Sequence, residues 1–219
     1  MKDSEIIKRA NSIAPSKAQM DFCDLEFIAL IPYGMNTYTN SETGTGREPE
    51  KYFNPPELDV SQWVKTVKNA GMKALGLTCK YTDGFCLWPT KTTDYNAVNS
   101  PAGRDLVGEL AAACKRRGMR FGVYFSNPDW HAPFAHNDKS SHQVPLQPGD
   151  VPDEEKYVAY VKAQVTELCT NYGELCCFFW DIPTGIERPE MDELVRRLQP
   201  GILIDDRRWG NKSTCYYST

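Results

Sequence analysis

The sequence predicts an α/β fold in which helices cover a parallel sheet. Three observations carry that expectation. Short, nearly continuous apolar runs recur along the chain, amphipathic stretches of helical length stand between them, and most of the runs finish on a polar or aromatic residue. A strand buried on both faces has no solvent side to alternate with, so it reads as an unbroken apolar run. Strands of that kind separated by helices form parallel sheets.

Taken in order, EFIALIPYG (26–34) reads as the first strand, followed by a loop rich in Thr, Gly, Pro and Asn that extends to about Glu57. LDVSQWVKTVKNAG is the first helix, with Asp59 near its start and Gly71 as its stop. KALGLTCKY (73–81) is the second strand, and the loop TDGFCLWPTKTTDYNAVNSPAG follows it. RDLVGELAAACKRRG carries its acids early and Lys115, Arg116 and Arg117 late, the order a helix dipole favours. RFGVYFS (120–126) is strand three, EEKYVAYVKAQVTELCTNYG helix three, LCCFFWD strand four, PEMDELVRRLQ helix four and GILIDDR (201–207) strand five.

Composition narrows the function. With 219 residues, 41% of them hydrophobic, the chain can bury a substantial core. Lys plus Arg number 25 against 29 Asp plus Glu, and the net charge of −4 supplies no basic footprint for nucleic acid. No apolar stretch has the length of a membrane span, and MKDSEIIKRANSIAPSK lacks the apolar centre of a secretory peptide, so a cytoplasmic location is the default expectation. The eight cysteines lie in periodic segments instead of loop-borne disulfide spacing and read as buried free thiols. His131, His136 and His142 share one Pro/Asn/Ser-rich loop with no rigid element to hold a metal, so neither metal nor cofactor is assigned.

In parallel α/β folds the loops after the carboxy-terminal strand ends build the active site. Tyr81 with Asp83, Tyr124 with Ser126, Asp181, and Asp206 with Arg207 all fall at that edge. Asp181 ends CCFFWD, where the dry core stops. A helix cap is the alternative role for it, but Pro183, Thr184 and Gly185 continue as a loop.

Several blocks carry a resemblance. PSKAQMDFCDLEFIALIPYGMNTYT, TCKYTDGFCLWPTKTTDYNAV, RDLVGELAAACKRRGMRFGVYFS and CFFWDIPTG with LQPGILIDDRRWG are similar to successive blocks of the family 29 glycoside hydrolases, the retaining α-L-fucosidases, from about Pro15 to the last residue. The resemblance implies a (β/α)8 TIM-barrel-like domain that releases terminal α-L-fucose from a glycan or fucoside substrate through a glycosyl-enzyme intermediate. It makes Asp181 the nucleophile, a role that needs a carboxylate beside the anomeric carbon and a second carboxyl roughly 5 Å away. It also places Tyr124, Arg207 and Glu42 at the sugar. Tyr81, Trp88 and Trp130 complete the substrate-binding set: Tyr81 keeps a hydroxyl near the sugar, and the two tryptophans are apolar walls for it, with ordinary packing the alternative for each tryptophan.

The sequence departs from the family pattern in two ways. Pro32 and the Tyr81-Thr82 pair stand where family members carry three sugar-binding histidines, and Thr43 follows Glu42 where a tryptophan is usual. The chain also reaches WGNKSTCYYST before any acid/base glutamate, so none is assigned. About five strand–helix units are legible where a closed barrel has eight. Residues 1–219 are therefore read as a single, incomplete glycosidase catalytic domain, the first part of a longer protein or a truncated relative. Its open sheet edge invites self-association. Two function classes follow: a fucosidase-type hydrolase, or a non-catalytic relative that binds sugar without turnover.

Overall fold

The computed structural model describes residues 3–136, 140, 142, 146–205, 207, 209 and 217–218. Five parallel strands form one sheet in chain order: β1 (Ile28–Ile31), β2 (Ala74–Lys80), β3 (Arg120–Ser126), β4 (Cys177–Asp181) and β5 (Leu203–Asp205). A short sixth strand, β6 (Tyr217–Ser218), pairs antiparallel with β5. The α/β alternation expected from the apolar runs is present, with β1 trimmed to four residues of the nine in its apolar run.

The helices are α1 (Asp3–Asn11), α2 (Lys17–Cys23), α3 (Asn36–Thr39), α4 (Val60–Asn69), α5 (Leu106–Arg116), α6 (Glu154–Asn171) and α7 (Pro189–Leu198). Asp59 caps α4 by accepting the amides of Ser61 and Gln62, and the chain leaves that helix through Gly71 at φ +84°. Helices α1 and α2 were not anticipated. The second is set by a capping box in which Ser16 accepts the Gln19 amide and Gln19 accepts the Ser16 amide.

The sheet has two distinct faces. On one, Leu75, Leu77, Val123, Phe125, Phe178 and Trp180 pack under the helices against Val64, Leu110, Val161, Leu168 and Val195. On the other face, register sets Tyr124 opposite Phe179 and Ser126 opposite Asp181. This second face is the side that a barrel would enclose. At its lower, amino-terminal end Leu25, Ala74, Cys176, Cys177 and Leu203 form a small separate cluster.

A register shift between Thr78 and Lys80 turns Lys80 to the helix side, opposite Phe125. There its ammonium lies 4.4 Å from the Phe125 ring centroid and 3.1 Å from Asp129 Oδ2, with both side chains wholly buried. Among the described residues no helix is long and apolar enough to cross a membrane. Cys79, Cys86, Cys114, Cys169, Cys176 and Cys177 are buried free thiols, whereas Cys23 is exposed.

Candidate active site

The carboxy-terminal ends of β2, β3, β4 and β5 bring together four of the residues picked out in the sequence. Asp181 is the last residue of β4 and is 8% exposed. Tyr124 donates its phenol hydrogen to Asp181 Oδ2, and the Arg207 guanidinium lies 2.8 Å from Oδ1. The Tyr124 hydroxyl is pushed well above its ordinary range by burial first, then by its hydrogen bond to Asp181 and the charge there, so it remains a donor. Tyr81 stands 6.3 Å from Tyr124 between ring centroids, and the Tyr124 ring stacks on Phe179 at 5.4 Å. Burial, then the negative charges of Asp181, Glu42 and Asp83, raise the Tyr81 hydroxyl above its ordinary range.

Asp181 caps no helix. The next helix, α7, begins eight residues later at Pro189, with Arg188 at its cap position. The turn between them starts at Ile182, a β-branched residue at φ +61°, in the left-handed region such side chains avoid. Asn127 holds that turn: its amide donates to the Asp181 carbonyl at 2.8 Å, and its side-chain nitrogen donates to the carbonyls of Ile182 at 3.2 Å and Arg207 at 3.4 Å.

The remaining residues picked out in the sequence fare differently from one another. Trp88 has no exposed surface, and its indole N–H donates to Glu167 of α6 at 2.8 Å, so it is core packing and not a sugar wall. Trp130 is half-buried, with its indole N–H on the His142 carbonyl, and lines a cavity of about 170 Å³ together with Asn127, Thr184 and Trp209. Asp83, read as a rim residue, is fully buried. It accepts the Phe85 amide, and burial, with Glu48 and Asp129 adding to it, pushes its carboxyl up to about 7. Asp206 lies outside the described residues. Its neighbour Asp205 is fully buried, accepts the amides of Trp180 at 2.8 Å and Arg207 at 3.4 Å, and is pushed up to about 8, chiefly by burial.

His131 stacks on Tyr95 at 4.0 Å and faces the Gly46 carbonyl through Nδ1. Among the described residues no group of three or more His, Cys, Asp or Glu side chains is placed to hold a metal ion. Asn127 and Asp205 were not anticipated as site residues, because an Asn after a strand and a doubled Asp carry no pattern that separates a clamp from a turn.

A carboxylate held by a tyrosine and an arginine stands at the carboxy-terminal edge of this parallel α/β sheet, the edge at which barrel enzymes carry their active sites. Comparison with known proteins makes this specific. The family model for alpha-L-fucosidase matches residues 24–219, and the chain belongs to that family, glycoside hydrolase family 29. Alpha-L-fucosidase 1 of Arabidopsis thaliana is 33% identical over 210 residues, which cover 89% of this chain and 38% of that protein. The crystal structure of a putative alpha-L-fucosidase from Bacteroides ovatus superposes with a TM-score of 0.74 at 35% identity, over 88% of this chain and 32% of that one. A glycoside hydrolase 29 family member from an unknown rumen bacterium gives the same TM-score and identity, over 89% and 36% of the two chains. The chain thus spans about a third of the length of these relatives.

Proposed function

We propose that this chain carries the nucleophile half of a retaining α-L-fucosidase site, with Asp181 as the attacking group. The observation that supports the reading most is the pairing of both Asp181 oxygens, one with Tyr124 and one with Arg207, at the rim of the sheet. A retaining glycosidase needs a carboxylate that attacks the anomeric carbon as the bond to the leaving oxygen breaks. Water later cleaves the resulting ester and regenerates the carboxylate. Tyr124 and Arg207 fix the carboxylate's rotamer before the sugar arrives, which lowers the cost of reaching a near-attack geometry. Tyr81 and Glu42 supply polar contacts to sugar hydroxyls in place of the absent histidines, and Trp130, which lines the neighbouring cavity with Asn127 and Thr184, is the apolar wall.

Among the described residues no strand pairs with the outer edge of β1, where Phe27, Ile28 and Leu30 are exposed at 53%, 38% and 50%. An apolar edge of this kind favours association with a further strand, and self-association of the chain is part of the proposal.

Hydrolysis of an aryl α-L-fucoside tests the reading, because its good leaving group needs little acid assistance. Turnover that disappears in Asp181→Gly and returns with azide as a glycosyl azide of inverted configuration supports a nucleophilic Asp181. Turnover unchanged in Asp181→Gly overturns it. Fucose binding without turnover in the unmodified chain selects the non-catalytic relative instead.

A further inference from the structure

The loop after β1 carries Glu42, and its segment 41–48 rests on the loops that follow β2 and β3 through two buried glycines. Gly44 and Gly46 alternate with exposed Thr45 and Arg47, and both stand at positive φ, +68° and +74°. Gly46 sits on the β3 loop. A Cβ there would stand 2.5 Å from the Trp130 carbonyl carbon, the Gly46 carbonyl faces His131 Nδ1 at 2.8 Å, and the Arg47 guanidinium donates to the His131 carbonyl at 3.0 Å and to Asp150 at 2.8 Å. Gly44 sits on the β2 loop. A Cβ there would stand 3.1 Å from the Cβ of Asp83, 3.4 Å from Asp83 Oδ2 and 3.3 Å from Glu48 Oε1, so the two carboxyl groups meet at the space a methyl would fill.

The two acids are equipped differently. Glu48 accepts the Thr45 amide at 2.6 Å and its hydroxyl at 2.9 Å on Oε1, and the Arg47 amide at 3.1 Å on Oε2, a donor-rich setting that suits a carboxylate. Asp83 has no exposed surface, accepts the Phe85 amide on Oδ1, and has no hydrogen-bond partner on Oδ2 among the described residues. The nearby cation, Lys80, is bound to Asp129 at 3.1 Å. The other ionisable groups that share a field with Asp83 are Asp129, Tyr81, Tyr95 and Cys86, none of them a cation, and His131 on the β3 loop turns its Nδ1 to Gly46. Burial first, then the charges of Glu48 and Asp129, keep the Asp83 proton in place up to about 7.

We propose that Asp83 and Glu48 form a proton-dependent latch for the loop that carries Glu42, with Asp83 as the positioning residue: it lies under Gly44 while it is a neutral acid and releases the loop when it ionises. An ionised Asp83 stands against the Glu48 carboxylate with no donor for Oδ2, and undocking of 41–48 lets water reach it. A solvated aspartic acid loses its proton near 3.8 and the docked one near 7, so docking weakens by about tenfold per pH unit between those values and no further above them. The charge of Glu42 reaches the Tyr81 hydroxyl beside Tyr124, so the latch sets whether this edge of the site is assembled. That consequence rests on the sugar-binding role proposed for Glu42; the latch itself does not.

The test is hydrogen exchange of the full chain from pH 5 to 8.5, read by mass spectrometry on the peptide spanning 41–48 and corrected for the chemical exchange rate at each pH. Protection should fall by about tenfold per pH unit up to about pH 7 and then level off, while the amides of β3 keep much larger protection throughout. Asp83→Asn retains an acceptor for the Phe85 amide and should make the loop's protection independent of pH. Glu48→Gln, which folds whether or not the first variant does because it alters only a half-buried loop side chain, should move the levelling point to lower pH, since it removes a charge that holds the Asp83 proton. Constant protection in the unmodified chain, an unchanged fall in Asp83→Asn or an unmoved levelling point in Glu48→Gln, or a loop that exchanges only together with β3, overturns the proposal. Fucoside hydrolysis enters none of these measurements, so a failed latch and a failed Asp181 nucleophile are told apart.

Discussion

Arg207 and Asp181 form an ion pair across the ends of neighbouring strands, with the guanidinium 2.8 Å from Oδ1, and the pair is one-sided in its exposure: the Arg207 side chain keeps a third of its surface, the Asp181 side chain 12%. A cation open to solvent can contact a sugar hydroxyl while it orients the carboxylate. Replacing it by Met should therefore lower kcat/KM for an aryl α-L-fucoside by roughly 10- to 100-fold, the value of a hydrogen bond to a charged group. Arg207→Lys should recover only part of this, because an ammonium lacks the planar fork. Steady-state kinetics of the two variants check it, and a loss smaller than twofold in Arg207→Met would count against the assignment.

Tyr124→Phe removes the other fixed partner of Asp181 while keeping the ring that stacks on Phe179. The fold should be unaffected, with thermal unfolding within a degree or two. The expected kinetic effect falls on kcat more than on KM, since the hydroxyl is bonded to Asp181, the proposed nucleophile, and fixes its orientation. A variant that raises KM alone would show the hydroxyl to be a binding group.

Asn127 restrains Ile182 in a left-handed conformation directly after Asp181, the proposed nucleophile. Asn127→Ala removes the side-chain clamp but keeps the backbone bond to the Asp181 carbonyl. The strained turn costs about 1–3 kcal/mol to hold. The variant should lose stability of that order, measured by urea unfolding, and lose activity beyond that loss because the carboxylate is no longer fixed. Ile182→Gly, which relaxes the strain, should restore stability without restoring activity.

How much of this was legible in the sequence follows from what each residue type ordinarily does. The strands and long helices were readable because Val, Leu and Phe mark buried faces by periodicity alone. Asp181 stood out as a charge where an apolar run stops. Lys80 gave no such sign, because a lysine at a strand end is normally solvated, and only the register shift after Thr78 turns it inward. Trp88 could be read as wall or core until Glu167, 79 residues away, was seen to accept its N–H. Asp206 adjoins Arg207 and so carries the stronger signal in the sequence, whereas Asp205 is the residue that accepts the Trp180 and Arg207 amides. The short helices α1 and α2 escaped because neither buries any residue, so no apolar stripe announces them.

Burial of Asp205 and Asp83 predicts a pH dependence with a definite sign. Their carboxyls are pushed from 3.8 up to about 8 and about 7. Between pH 4 and those values the folded chain keeps protons that the unfolded chain has released, so stability falls as pH rises. Each group contributes a slope of at most about 1.4 kcal/mol per pH unit, and all of its contribution is gone above its folded value. Thermal unfolding from pH 4.5 to 8.5 should show Asp205→Asn declining less steeply than the unmodified chain, because the amide keeps an acceptor for the Trp180 amide without a proton to lose. Parallel curves for the two would show that Asp205 does not hold its proton in the folded state.

The ion pair between Lys80 and Asp129 predicts non-additive stability. Both side chains have no exposed surface, and Asp129 also accepts the amides of His131 and Ala132 through Oδ1. Burial alone would raise the Asp129 carboxyl, but Lys80 and the Ala132 amide outweigh it and hold it below its ordinary value. Removing one charge strands the other in the core, at a cost of about 3–5 kcal/mol. Lys80→Met strands a carboxylate, and Asp129→Asn strands an ammonium that retains the Phe125 ring 4.4 Å away. The double variant strands neither, keeps the Oδ1 acceptor for the two loop amides, and should lie within about 2 kcal/mol of the unmodified chain. Urea unfolding of the four proteins completes the cycle. If the two single losses simply add, the pair acts as two independent buried groups and the loop bearing Trp130 does not depend on its charge balance.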